Sequence, residues 1–445
     1  MPGLDQFGYK EQLRRVLTTG DLIIYGLIFM VPIAPFSVYG FVWDDAKGMV
    51  PLAYLVGLVG MVFTAMSYAA MSRAYPMAGS VYSYAQRGLS EIAGFFSGWL
   101  ILLDYILVPA LLYLFSAIAL QPMLPHVPEW LWLLGFVSFN AAVNLIGIEF
   151  TARANRYMLA IELVVLALFV VLGLMALYGG HGAGRLTLKP VYDPSVFSLA
   201  TVAGATSIAV LSFLGFDGIS TLSEENRGNQ NAVGRATLLS LLLVGALFLL
   251  QTWIATDLAR GMQFSSPGTA FYDIVRLAGG LWLERITLIA VVLANIANAM
   301  AAQAATSRIL FAMARDRKLP AVLARIHPRF QTPYISTLVV ALVSVLVGVF
   351  FSSRVDDLTR IVNFGALTAF LLLHLSVINH YFIRGRSGRW LAHFTSPLLG
   401  FLVIAYVLYE MDNSAKIMGG CWIVLGVIYY LVLAYVLKRP AALEL

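Results

Sequence analysis

Three carboxylic acids, Asp104, Glu162 and Asp217, stand inside apolar stretches each long enough to cross a bilayer, and no Lys or Arg lies at comparable depth. An ionised carboxylate at the centre of a membrane costs roughly 2.5–3.5 kcal/mol even on lenient insertion scales. Acids so placed are candidate functional groups, and whatever neutralises them is expected to be mobile: a proton, or a cation in transit. Around them stand further polar side chains at helical spacing. Tyr105 adjoins Asp104, and Asn295 and Asn298 occupy neighbouring turns of one apolar run. Such asparagines either line a cavity or serve as interhelical hydrogen-bonding glue.

The elements that must hold these groups follow from composition. With 60% hydrophobic and 12% charged residues over 445 positions, the chain cannot be wrapped as a soluble globule. A span takes about 20 apolar residues, and twelve such runs are present. The first covers Gly20 to Val42; the others centre near Gly60, Leu107, Leu133, Val165, Leu214, Ala246, Leu293, Val343, Phe370, Ile404 and Tyr429. An all-α membrane protein of 12 transmembrane helices is expected, in one domain. The longest connections, Gly179 to Leu199 and Arg260 to Leu281, leave no room for a soluble domain, although the second can hold a short surface helix. The start through Arg15 leads into a span too long for a signal-peptide core, so the first helix is expected to be the insertion signal.

With the N-terminus inside, 20 of the 29 Lys and Arg residues fall on the cytoplasmic side, which places both termini there. The net charge of +6 then describes loop asymmetry; the basic residues are scattered and form no nucleic-acid-binding run. The lone Cys421 and six dispersed histidines offer no disulfide and no metal cluster. No cofactor is expected.

Two spans carry helix-breaking chemistry in corresponding places, a pointer to a transporter's binding site. The first contains Val31-Pro32-Ile33-Ala34-Pro35, and the sixth contains Gly215-Phe216-Asp217-Gly218. Prolines remove N–H donors and clash with the preceding turn, whereas glycines let the backbone leave helical geometry. Breaks five spans apart suggest two five-helix halves of opposite orientation, about 16–178 and 200–383. Two further helices at about 393–437 lie outside that repeat.

Several segments resemble one family. Ser307-Arg308-Ile309-Leu310-Phe311-Ala312-Met313-Ala314-Arg315-Asp316-Arg317-Lys318-Leu319-Pro320 is similar to a signature of the amino acid, polyamine and organocation (APC) transporters. So are Pro76-Met77-Ala78-Gly79-Ser80-Val81-Tyr82-Ser83-Tyr84, Phe213-Leu214-Gly215-Phe216-Asp217 and Ser223-Glu224-Glu225. Within that superfamily, Leu103-Asp104-Tyr105, Thr221-Leu222-Ser223-Glu224-Glu225 and Ile361-Val362-Asn363-Phe364-Gly365-Ala366-Leu367 look most like the bacterial putrescine importers. The resemblance implies a LeuT-type 5+5 inverted repeat with helices 1 and 6 broken. It also implies alternating access in the bacterial inner membrane, commonly proton-coupled uptake, and a monomer or homodimer.

It further implies site roles. Amino-acid carriers hold the substrate carboxylate on bare N–H groups of a Gly-rich break in span 1. Here that segment is Val31, Pro32, Ile33, Ala34 and Pro35, with two donors deleted by the prolines, which fits an amine better than an amino acid. The putrescine importers have an Asp at the position of Ser37, so a second ammonium is one counter-charge short. Asp104 is expected to hold the ammonium, with Tyr105 beside it; the alternative for Asp104 is a bond to backbone N–H groups of a broken helix. Glu162 aligns with a Lys that cationic-amino-acid carriers place at a vacant sodium position, and is expected to exchange a proton, unless a neighbouring Ser or backbone group caps it. Asp217 either fixes the shape of the break or takes part in proton passage. Phe213 and Phe216 flank the break as candidate occluding aromatics in the substrate site. Glu224 and Glu225 are gate residues or solvated loop charges.

The function expected is secondary import of a small organic amine such as putrescine, with an amino acid permease or exchanger as the alternative. A channel would need a repeated filter, and an enzyme a nucleophile–base pair or metal triad; neither pattern occurs, and no Walker motif is present.

Overall fold

The computed structural model describes residues 17–436 except 77–79, 122, 147–151, 224–225, 228–230, 316–318 and 331. Its helices are α1 (Thr19–Met30), α2 (Pro35–Ala46), α3 (Val50–Ala74), α4 (Ser80–Gly88), α5 (Glu91–Leu120), α6 (Glu129–Ile146), α7 (Ala152–Tyr178), α8 (Leu199–Ala209) and α9 (Gly218–Thr221). They continue as α10 (Ala232–Leu258), α11 (Ala270–Arg315), α12 (Tyr334–Phe351), α13 (Val355–Val377), α14 (Ser396–Glu410) and α15 (Asn413–Leu431). Among the described residues there is no strand, only one isolated bridge between Leu17 and Asn226. Eleven helices are long and apolar enough to cross a membrane, and α1 with α2, bent by 56°, makes up to twelve. The described residues therefore form an all-α fold with eleven to twelve candidate spans, and the chain is a multi-pass membrane protein.

Local chemistry starts and stops these spans. Thr18 caps α1 in a reciprocal box with Asp21, each side chain taking the other's backbone N–H at 3.1–3.2 Å. Ser90 and Ser198 cap α5 and α8 in the same one-sided way, on Ala93 and Thr201. Pro35 opens α2, where a missing N–H costs nothing. α11 is interrupted at Gly280 (φ 76°), so residues 270–279 form a separate short helix before the span. The short helix expected in that connection exists, but it is packed down: Phe271, Tyr272, Ile274 and Val275 are buried.

Packing is densest between α3 and α10, between α5 and α11, and between α5 and α13. α5 thus runs through the centre of the molecule, and it carries Asp104. α15 is held to it by a reciprocal pair: Trp99 Nε1 donates to the Trp422 carbonyl, Trp422 Nε1 donates to the Trp99 carbonyl, both at 2.9 Å, and the rings stack at 4.6 Å.

Both expected breaks are present. α1 ends at Met30 and Val31 takes φ 51°, an unusual geometry for a β-branched residue. The second break begins earlier than expected from its glycines. α8 stops at Ala209, a 3₁₀ turn covers Val210–Phe213, Leu214 is extended, and Gly215 takes φ 107°. Gly218 opens α9 and is part of that helix. The tight 3₁₀ turn, not the second glycine, lengthens the departure from α-helical geometry. The second break touches the last turn of α1: a Cβ on Gly215 would lie 2.8 Å from the Phe29 carbonyl oxygen.

Candidate substrate cavity

Unwound backbone inside a membrane protein survives only where its polar groups find partners. Around the first break the N–H groups of Val31, Ala34, Phe36 and Ser37 bond to the carbonyls of Leu27, Val31, Ile33 and Ala34. The Pro32 carbonyl accepts from Gln251 Nε2 of α10 at 3.0 Å. Before the second break, the Ser207 carbonyl accepts from Asn363 Nδ2 of α13 at 2.7 Å. Two buried amides on neighbouring spans therefore hold the free carbonyls of the broken ones.

Between the breaks, α5 and α11 lies a cavity of about 430 Å³. Asp104, Tyr105, Asp217, Asn295, Asn298, Ser37, Val31, Ala34 and Gly215 all line it, so tertiary structure gathers residues from spans 1, 3, 6 and 8. No Lys or Arg is among the lining residues. Asp104 and Asp217 lie within electrostatic reach of each other. Their surroundings differ. The Asp217 carboxylate lies beside the backbone N–H groups of Gly215, Asp217 and Gly218 without capping α9, and the Gly218 N–H bonds the Gly215 carbonyl at 3.0 Å. Asp104 Oδ1 is buried with no hydrogen-bond partner among the described residues, as is Asn295 Nδ2.

Other expected site residues are placed elsewhere. Pro32, Ile33, Phe213 and Phe216 do not line the cavity. Phe213 packs at 6.0 Å on Tyr54 and 5.1 Å on Phe248, and Phe216 at 5.8 Å on Tyr68 and 5.7 Å on Phe370; both are fully buried. The 3₁₀ turn rotates these two rings outward into the helix packing and presents Leu211, Ser212 and Leu214 to the cavity instead. In this arrangement neither ring, expected as an occluding aromatic, lines the cavity. Glu162 also lies off the cavity. It sits on the inward face of α7 with Leu159, Val165, Leu166 and Phe169, 6% exposed, and its Oε2 has no hydrogen-bond partner among the described residues. Glu224 and Glu225 lie outside the described residues.

Sequence reasoning missed Ser80, Tyr82 and Thr221 in the lining. Ser80 and Tyr82 stand within a motif already singled out, but only the fold shows that α4 tucks beneath the cavity. Gln251 was missed as well, because its partner is a backbone carbonyl 219 residues away.

One end of the site is closed. Phe36 stacks on Phe271 at 4.0 Å, and the Tyr39 hydroxyl bonds Thr256 at 3.0 Å. A Cβ on Gly40 would fall 2.1 Å from the Pro267 carbonyl oxygen, so α2 and the 267–279 segment meet backbone to backbone. Farther out, the buried guanidinium of Arg360 ties α13 to α2 through Asp45 at 2.6 Å and bonds Asp356 at 2.8 Å.

Residues 17–436 match the amino acid permease family. The chain is 31% identical to the low-affinity putrescine importer PlaP of Escherichia coli over 97% of its own length and 96% of the relative's. It is 26% identical to the branched-chain amino acid permease BcaP of Bacillus subtilis over 83% and 81% of the two chains. It is also 27% identical to the mouse cationic amino acid transporter 4, over 84% of this chain and 61% of that one. A match spanning the described length, on a twelve-span helical fold broken at spans 1 and 6, establishes the relationship: the chain belongs to the amino acid permease family of the APC superfamily.

Proposed function

We propose that this permease imports a small organic amine, putrescine or a similar polyamine, by alternating access across the bacterial cytoplasmic membrane, together with a proton. The observation that carries the reading is the pairing of Asp104 and Asp217 in one cavity without a lining Lys or Arg. A desolvated ammonium beside a carboxylate gains Coulomb attraction and short charge-assisted hydrogen bonds.

The same geometry disfavours an amino acid. A substrate carboxylate needs free N–H groups at a half-helix start. At the first break, the N–H groups of Val31, Ala34, Phe36 and Ser37 already bond backbone carbonyls and Pro32 and Pro35 have none, so Ile33 is left as a single donor where a carboxylate needs several. At the second, the N–H groups of Leu214, Gly218, Ile219 and Ser220 bond the carbonyls of Leu211, Gly215, Phe216 and Asp217, and the Asp217 carboxylate lies beside the break. The relative named as a putrescine importer supports the amine reading; the relatives named as amino acid permeases support the alternative, an amino acid permease or amine/amino acid exchanger.

Asp104 takes the ammonium, Tyr105 gives it an aromatic face, and Asn295 and Asn298 complete the cavity. Glu162 carries the coupling proton at the vacant cation position of span 5, and Asp217 holds the break and relays charge. The closed end is the outer one and both termini are cytoplasmic, in keeping with the basic loops. Spans 1–5 and 6–10 act as two inverted halves, about 16–178 and 200–383, with the last two helices outside the repeat. Glu224 and Glu225 act at the inner gate, and the protein works as a monomer or homodimer.

Uptake of radiolabelled putrescine into proteoliposomes tests this reading. Saturable uptake that rises with an inward proton gradient and resists competition by neutral amino acids is expected. Preferential uptake of zwitterions would reject the substrate assignment, and a current of single-channel size would reject the carrier.

A further inference from the structure

α5 contains a proline, Pro109, four residues beyond Tyr105 and one turn from Asp104. A proline inside a helix has no N–H for the carbonyl of residue i−4, which is Tyr105 here. That carbonyl is not left empty. Thr306 Oγ1, on α11, donates to it at 2.7 Å. The same hydroxyl lies 2.8 Å from its own i−4 carbonyl, Ala302, so one O–H is shared between its own helix and the neighbouring one. Thr306 is fully buried, and the residues around it on α11, Ala302, Ala305 and Ile309, line the cavity. In a membrane interior a hydroxyl from an adjacent span is one of few groups that can satisfy a carbonyl freed by proline.

We infer that Thr306 is a positioning residue, whose hydroxyl takes the carbonyl stranded by Pro109 and thereby fixes how Asp104 and Tyr105 enter the cavity. The inference rests on the reading of Asp104 as the ammonium site. Asp104 Oδ1 has no hydrogen-bond partner among the described residues, so no bond at that oxygen aims the side chain, and the course of the backbone that carries it bears on its direction. A joint between α5 and α11 at this point gives that backbone a fixed register. It also links the acid of span 3 to Asn295 and Asn298 of span 8, which face the same cavity.

Thr306→Val keeps the shape and deletes the hydroxyl; Thr306→Ser keeps the donor. Putrescine uptake by Thr306→Val is expected to show a KM raised roughly fivefold, the worth of one hydrogen bond, with kcat less affected, and Thr306→Ser is expected to stay near wild type. Pro109→Ala supplies an N–H of its own for the Tyr105 carbonyl. In that background adding Thr306→Val is expected to change KM less than about twofold. Equal losses in both backgrounds, or equal losses for Val and Ser, overturn the inference.

A measurement without ligand separates it from the amine reading. With exposed Cys421 replaced by Ser, a Tyr105→Cys protein retains the carbonyl at that position and reports its placement through the rate of modification by a cationic thiol reagent. Thr306→Val is expected to alter that rate about fivefold and Thr306→Ser to leave it unchanged. An unchanged rate in Thr306→Val overturns the joint, even if Pro109→Ala proves unstable. A wild-type protein that binds no putrescine rejects the amine reading, while the thiol rates still decide the joint.

Discussion

Asp104 and Glu162 share one property, a buried carboxylate oxygen with no fixed partner, but they stand in different places: Asp104 lines the cavity and Glu162 faces helix packing. Different locations predict different phenotypes. Asp104→Asn removes the charge facing the substrate and is expected to weaken putrescine binding at least 100-fold, since charge-assisted bonds in a desolvated site are worth about 3 kcal/mol or more; isothermal titration on purified protein reads it. Glu162→Gln is expected to leave binding within about twofold and to flatten the dependence of uptake on the proton gradient, because the group it changes touches no ligand. Equal, mild effects of the two would remove the division of roles. The three acids were visible in the sequence because charge stands out in apolar runs, but their division was not. Asp217 lies beside the backbone N–H groups of the break in span 6, whereas Asp104 Oδ1 has no hydrogen-bond partner among the described residues.

At the scale of elements, the broken spans depend on side chains donated from elsewhere. Asn363→Leu deprives the Ser207 carbonyl of its buried donor and is expected to lower stability by about 1–3 kcal/mol, seen as a lower melting temperature in detergent. Gly215→Ala meets two obstacles, a left-handed φ and the Phe29 carbonyl at 2.8 Å, and is expected to cost more and to abolish uptake. At the closed end, Arg360→Gln breaks the ties to Asp45 and Asp356. It is expected to raise the labelling of a cysteine placed at Phe36 by a membrane-impermeant reagent added from outside; labelling that stays at background would count against a closing role for that ion pair. The positions of the breaks were legible from Pro32, Pro35 and Gly215. The outward turn of Phe213 and Phe216 was not, because a 3₁₀ turn at Val210–Phe213 changes the side-chain phase without a proline or glycine to mark it.

At the scale of the whole molecule, a ligand stabilises the state to which it binds. Putrescine at 100 times its Kd is expected to add about 2.7 kcal/mol to the stability of the protein, and a thermal-shift panel in which amines shift the melting temperature and branched-chain amino acids do not would agree with the proposed substrate class. The reverse order would point to the amino acid alternative. The sequence by itself determined the membrane class, the twelve spans and the two interrupted ones, because apolar length, charge exclusion and helix-breaking residues act locally and leave their mark in consecutive positions. Only the tertiary structure decided which polar groups share a space. Asp104, Asp217, Asn295 and Ser37 come from four different spans, and Gln251, Asn363 and Thr306 bond carbonyls between 156 and 219 residues away in the chain. Such convergence is a matter of helix rotation and crossing, which distant packing partners set together and no local run of residues encodes.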